Sequence, residues 1–311
     1  MSDLLRSIRG TVKDIVYRRR DIDALYKVLF DEVNDLEEAK VPKGASTAAA
    51  FGRQWTQLPE GEYLLSDPWF RENVATIIAR QELLLAPEWF RGKKVLDAGC
   101  GNGRWSFGLS SLGADLTCAD INESAIEATR AAISGFDNPQ RFVRTSLEDL
   151  DRAVEAGSFD LVFSWGVAMH TVRFNRALDN LTSAVAPGGV LYLYLYGRDT
   201  LPLREDLRLF RERLAYNVLM DDDERMRFLL HKARGDRGRL HNVHDTFAPL
   251  INRRFTFEQV RGMLVARGFT DCLRTIDHTE VFVRATRGDV DLSAFALQPK
   301  RPPYWFQGRH I

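Results

Sequence analysis

The sequence predicts an α/β fold: a doubly wound, mostly parallel seven-stranded sheet with an N-terminal helical arm and a helical cap inserted after the fifth strand. Three observations lead there. From Lys94 onward, the short apolar runs KVLDA, DLTCA, RFVR, LVFS and GGVLYLYLY alternate with segments of helical spacing, the pattern of parallel strands joined through helices. After Tyr196 a highly charged helical stretch interrupts this alternation over about residues 200–245. The alternation then resumes with the helix FTFEQVRGMLVARGF and two final strands near DCLRT and EVFVRAT.

The elements follow in order. Residues 1–40 place Leu4, Leu5, Ile8, Val12, Ile15 and Val16 at helical spacing among Arg6, Arg9, Lys13, Arg18, Arg19 and Arg20. Such an amphipathic arm packs on the protein or on a second subunit, or else lies on a membrane surface or on RNA. VPKGASTAAAFG (41–52) reads as a linker, and helical patterns resume over 68–90. The organisation expected is an arm and lid over 1–90, a core over 91–199, a cap over 200–250, completion of the core over 251–290 and a tail over 291–311.

Composition narrows the function classes. The chain has 311 residues, 45% of them hydrophobic, enough to bury a full core. Lys+Arg and Asp+Glu both number 43, so no global field steers it towards nucleic acid or an anionic surface. Three cysteines, Cys100, Cys118 and Cys272, lack any Cys-x-x-Cys spacing, which argues against a disulfide framework and a structural zinc site and points to a reducing, cytoplasmic setting. No apolar run approaches the roughly 20 residues that span a bilayer, and MSDLLRSIRG is too charged for a secretory signal.

The chemistry centres on KVLDAGCGNGR (94–104). Three glycines at alternate positions after a strand mark a loop that something must approach closely. A triphosphate loop needs Lys-Ser/Thr after its last glycine, but Arg104-Trp105 follows Gly103. A dinucleotide fingerprint needs a third glycine where Arg104 stands, which leaves NAD as the runner-up. S-adenosylmethionine fits better: the glycines admit the adenosyl group, and Asp97 can attract the methionine ammonium directly or through water. Asp120, closing the second strand run, can accept both ribose hydroxyls, a role equally suited to NAD.

VLDAGCGNGR, the later Ala119-Asp120, FDLVFSWGVAMHT (159–171) and APGGVLYLYLY together resemble the class I, Rossmann-like S-adenosylmethionine-dependent methyltransferases of small-molecule type. The resemblance covers roughly 93–196 and resumes over 251–286. It implies that the cofactor lies along Asp97, Ala98, Gly99 and Gly101, more loosely Gly103, with its ribose on Asp120 and its adenine beside Ile121. Where the family often holds the adenine with an Asp, this chain has Ser146, so Ser146 and the Leu147 amide take that place. Ser164, Trp165 and Gly166 are implied to face the methionine portion, and His170 stands where many such enzymes carry a His near the transferred methyl. FGRQWTQL (51–58) is similar to the lead-in that closes over the cofactor, which makes Phe51, Gln54 and Trp55 lid candidates.

Two readings remain open for His170: a base at the reacting centre, or a hydrogen-bonded residue of a packed interior. In RLHNVHDTFAPL, His241, His244 and Asp245 come close together as acceptor-orienting groups, as a capped helix end, or, least favoured, as metal ligands; no metal site is assigned. The implied reaction is in-line methyl transfer to a small-molecule acceptor, oxygen ahead of nitrogen or carbon, yielding S-adenosylhomocysteine, with His170, His244 and His241 as candidate catalytic groups. Alternatives are a catalytically silent cofactor-binding partner subunit, an RNA methyltransferase relying on the basic arm, and an NAD-dependent oxidoreductase. A homodimer through the arm or cap is a further expectation.

Overall fold

A computed structural model describes residues 43–58, 61, 64–198, 200–218, 220–299, 305–306 and 309–310. The amphipathic arm expected over 1–40 lies outside the described residues. Where a linker was expected, the chain is helical: α1 spans Lys43–Gln57. The run STAAAF explains the difference, since alanine has the highest helix propensity and two isolated glycines cost only about 1 kcal/mol each. Helix α2 (Pro68–Ile77) starts on Asp67, whose carboxylate accepts from the Trp69 amide at 3.0 Å, with Pro68 at the first helical position. A π-turn, Ile78–Glu82, and a 3-10 turn, Pro87–Phe90, lead into the sheet.

The sheet comprises β1 (Lys94–Ala98), β2 (Asp115–Asp120), β3 (Gln140–Arg144), β4 (Phe159–Trp165), β5 (Val185–Leu195), β6 (Leu273–Arg274) and β7 (Val281–Thr286) in the order β3-β2-β1-β4-β5-β7-β6. The first five strands are parallel, and β7 runs antiparallel to β5 and β6. Helices α3 (Arg104–Ser111), α4 (Glu123–Ile133) and α5 (Phe174–Ala184) provide the crossovers, and α9 (Phe257–Val265) precedes β6. Strand order reverses between β1 and β4, which opens the crevice at the carboxyl ends where ligands bind in such sheets.

Both faces of the sheet are covered, so its central strands are continuously apolar rather than alternating. Val95, Leu161, Phe163, Tyr192, Tyr194 and Phe282 face one core layer with Phe70, Val74, Trp105 and Leu109. Leu96, Ala98, Val162, Leu191, Leu193 and Val283 face the other, with Phe174, Leu178, Val260 and Leu264. The period-2 placement of side chains explains this split.

Between β5 and α9 the charged stretch forms α6 (Leu203–Val218), α7 (Asp222–Lys232) and α8 (Leu240–Phe247). A capping box joins Asp221 and Glu224 at the start of α7. A third cluster holds these helices: Tyr216, Leu229, Ala233, Leu240 and Phe247 are buried with Ala50 and Leu58 from the α1 segment, and Leu209 and Phe228 pack against them. The side chains of Leu207, Phe210 and Leu214 on α6 lie outside the described ones. Leaving α8, the segment 251–255 crosses back to the sheet edge, where the Phe255 amide donates to the Tyr196 carbonyl at 2.9 Å.

Candidate active site

The loop after β1 is held from two sides. The Gly99 and Cys100 amides both donate to the Ala119 carbonyl, at 2.7 and 3.0 Å, and the Gly101 amide donates to Asp120 Oδ2 at 3.1 Å. Gly99 and Gly101 have φ of +94° and +55°, and a Cβ on Gly99 would lie 2.4 Å from Val167 Cγ2. Gly103 serves close packing, because its Cβ would meet the Thr129 Cα on α4 at 2.8 Å. The glycines therefore answer to neighbours as well as to a ligand.

Asp120 spends one oxygen on Gly101 and the other on the Asn122 amide, 2.9 Å away. Burial raises its pKa, against the lowering by these backbone donors. Each carboxylate oxygen keeps further acceptor capacity for a pair of hydroxyls. Beside it Ile121 is 43% exposed, an apolar side chain suited to an aromatic ring laid against it. Glycine loop, acceptor-rich carboxylate and exposed apolar neighbour together fit an adenosyl group.

Asp97 lies beneath the loop. It is fully buried and accepts a 2.5 Å hydrogen bond from Ser106 Oγ on α3, and burial lifts its pKa to about 7. The Arg104 charge opposes that rise and the Asp120 charge adds to it. A cation brought close would favour the ionised form, which suits an ammonium.

Several residues expected at the cofactor make bonds within the protein. The Ser146 hydroxyl is engaged in a helix cap: it donates to Asp149 Oδ2 at 2.9 Å and accepts from the Asp149 amide at 3.2 Å. Leu147 buries its side chain in the core, and its carbonyl accepts from Asn180 Nδ2 at 2.9 Å. The Ser164 hydroxyl ties β4 to β1 by donating to the Ala98 carbonyl at 3.0 Å. A short hydroxyl next to an unpaired backbone group takes the local bond first.

Helix α1 lies across the mouth of the crevice. A Cβ on Gly101 would come within 2.9 Å of Trp55 Cζ2, and one on Gly52 within 3.3 Å of Asn122 Oδ1. Phe51 meets the His170 ring edge-on at 5.2 Å, and Trp55 lies 5.0 Å from the His241 ring. Trp165 forms the inner wall, against Trp105 at 5.0 Å and Tyr194 at 4.3 Å, with the Arg104 guanidinium 4.9 Å from its ring centre.

The three histidines separate by their partners. His241 is saturated: Nδ1 donates to the Leu58 carbonyl at 3.2 Å, and Nε2 accepts from the Gln54 amide at 3.0 Å. With its pKa lowered by burial to about 4, it fastens α8 to α1 and gives Gln54 a structural partner. His244 is buried, with Nδ1 lacking a partner among the described residues and its pKa likewise lowered by burial to about 4.

His170 is 6% exposed and sits on a 3-10 turn, Ala168–His170, just past β4. Its Nδ1 lies 2.6 Å from the Ile251 carbonyl, a group that only accepts, so Nδ1 carries the proton. Nε2 then holds a lone pair, buried and without a partner among the described residues. Burial lowers the pKa, against the pull of Asp245 and the Ile251 carbonyl, and Arg213 and Arg253 lower it further, so the ring is neutral. Tyr196 presents its ring edge to His170 at 5.4 Å and donates its hydroxyl to Asp245 Oδ2 at 2.8 Å. Val167 and Asn252, both absent from the sequence-based set, belong to this neighbourhood. Nothing in their own sequence context marks them, because a loop and a strap far apart in the chain bring them here.

Residues 95–189 match the methyltransferase domain family. That segment is a methyltransferase domain of the class I, Rossmann-like kind. The NAD reading of the glycine loop falls away with it. Among similar proteins, the ubiquinone biosynthesis O-methyltransferase of Psychrobacter cryohalolentis is 31% identical over 134 residues, 42% of this chain and 52% of that protein. The Caulobacter vibrioides protein of the same name is 29% identical over 166 residues, covering 50% of this chain and 64% of that one. The chain thus spans about half the length of the first of these curated relatives. A solved magnesium protoporphyrin IX methyltransferase from Synechocystis PCC 6803 aligns over 79% of this chain and 98% of its own, with 16% identity and a TM-score of 0.49. The family match ends before α8 and the segment 251–255, which supply the Asp245 charge acting on His170 and the Ile251 carbonyl bonded to it. Among the described residues, no helix is long and apolar enough to cross a membrane.

Proposed function

We propose that the protein is an S-adenosylmethionine-dependent O-methyltransferase acting on a small molecule, with His170 as the general base. The observation that carries this is the His170 imidazole, oriented by the Ile251 carbonyl and left with a buried Nε2 lone pair that has no partner among the described residues. A neutral ring so held can take a hydroxyl proton as the acceptor oxygen forms its new bond, an effect typically worth 10²–10⁴-fold. The bound cofactor supplies a methyl group on a sulfonium whose positive charge is lost on transfer. Asp120 would hold its ribose, Ile121 its adenine face and Asp97 its ammonium. Trp55 and Phe51 close the crevice and Trp165 lines it, excluding water and aligning the reactants, which is most of what such a displacement requires.

The curated relatives named as ubiquinone biosynthesis O-methyltransferases favour oxygen as the acceptor atom. Three free cysteines favour a reducing, cytoplasmic setting. Calorimetric titration with S-adenosylmethionine and with NAD, followed by incubation of a metabolite extract with ¹³C-methyl-labelled cofactor, tests the proposal. Binding of the first ligand alone and a labelled methyl ether are expected. Tight NAD binding, or label only on nitrogen or carbon, overturns it.

A further inference from the structure

Asn252 is 2% exposed, and its Nδ2 and Oδ1 are both buried without a hydrogen-bond partner among the described residues. A carboxamide can make four hydrogen bonds, and burying one idle is unfavourable unless something else uses it. On either side of it the backbone is pinned to the turn that bears the base. The Ile251 carbonyl accepts from His170 Nδ1 at 2.6 Å, and the Arg253 amide donates to the Met169 carbonyl at 3.2 Å. Arg253 Nη2 adds a 2.7 Å bond to the Val172 carbonyl. The residue bearing the idle amide thus sits between two backbone bonds to the His170 turn, whose Nε2 also lacks a partner among the described residues. His244 Nδ1 also lacks a partner among the described residues, and the Asp245 charge acts on both histidines.

We propose that Asn252 is an acceptor-binding residue, whose amide takes a second polar group of the molecule methylated at His170. The group it suits both gives and takes a hydrogen bond: a hydroxyl or a carboxamide, neutral because the amide offers no counter-charge. This rests on the methyl-transfer reading above. It adds a specificity-determining contact that the methyltransferase domain itself does not contain, since Asn252 lies beyond residue 189.

Asn252→Leu keeps the branching and heavy-atom count, with bulkier methyls in place of the amide atoms, and removes both polar atoms. Urea unfolding of this variant is expected to show stability equal to or above that of the parent, because an idle buried amide has been removed. With ¹³C-methyl S-adenosylmethionine and a bacterial metabolite extract, labelled product should fall about tenfold in diluted extract and less in undiluted extract, the mark of weakened acceptor binding. Cofactor affinity by calorimetry should stay within about twofold. Asn252→Ala, which adds no bulk, should show the same split. Unchanged labelling at both dilutions, or a clear loss of stability in both variants, overturns the assignment by showing the amide idle or internally bonded. If the parent itself labels nothing, the methyl-transfer reading fails and takes this proposal with it; a variant-to-parent ratio of one fails Asn252 alone.

Discussion

His170 Nδ1 and the Ile251 carbonyl oxygen lie 2.6 Å apart, although 81 residues separate them in sequence. This one bond chooses the tautomer, aims the ring and leaves Nε2 as the free basic atom. It also joins the methyltransferase domain to the segment that completes the site.

The first consequence is kinetic. His170→Ala is expected to lower kcat by about 10²–10⁴-fold while cofactor affinity by calorimetry changes little. Because burial lowers the His170 pKa from 6.5, the base stays neutral as pH falls through 6.5, and the acid limb of kcat/KM should lie below that value. An acid limb above pH 7 would show that another group titrates.

Asp120 joins cofactor binding to loop geometry. Asp120→Ala removes the acceptor for the Gly101 and Asn122 amides together with the expected ribose contact. S-adenosylmethionine affinity should fall at least tenfold, with Asp120→Asn intermediate because it retains one acceptor oxygen. Undiminished affinity in the alanine variant places the ribose elsewhere.

Val167 explains why position 99 is glycine. Gly99→Ala puts a Cβ 2.4 Å from Val167 Cγ2 at a φ of +94°, and a loss of about 2–4 kcal/mol in urea unfolding is expected. Gly99→Ala/Val167→Ala should recover the steric part but not the backbone part, so the two changes should couple by about 1 kcal/mol or more. Simple additivity would show that the side chains do not meet.

Glu82, on the π-turn before β1, is buried, accepts a hydrogen bond from the Tyr192 hydroxyl and has its pKa raised by burial from 4.5 to about 7. A raised acid contributes stability below its unfolded pKa and loses it as pH rises through the folded one. From pH 4.5 to 8, Glu82→Gln should therefore gain on the parent by up to about 3 kcal/mol in urea unfolding. A gap that is flat with pH would mean that Glu82 is ionised throughout.

The sheet was legible because periodicity is local. Five apolar runs alternating with helical segments identify parallel strands covered on both faces, and the glycine run at 99–103 together with Asp120 marks the crevice end. The helix over Lys43–Gln57 is legible too, in its alanine run, whose helix propensity outweighs two isolated glycines.

Hydrogen-bond partners were not legible. Ser146 and Ser164 carry the residue type a ligand site needs, but each hydroxyl is taken by a neighbour, Asp149 or the Ala98 carbonyl. His241 and His244 stand three residues apart on one short helix and differ in what surrounds them: Gln54 and Leu58 occupy both nitrogens of His241, while His244 Nδ1 has no partner among the described residues. The sequence by itself determined the α/β class, the cofactor-loop position and the set of polar groups that could serve chemistry, because these rest on spacing within a few residues. Only the tertiary structure decided which of those groups are free, and it brought in Val167 and Asn252, because an unpaired lone pair or a filled Cβ position depends on atoms that folding carries in from distant parts of the chain.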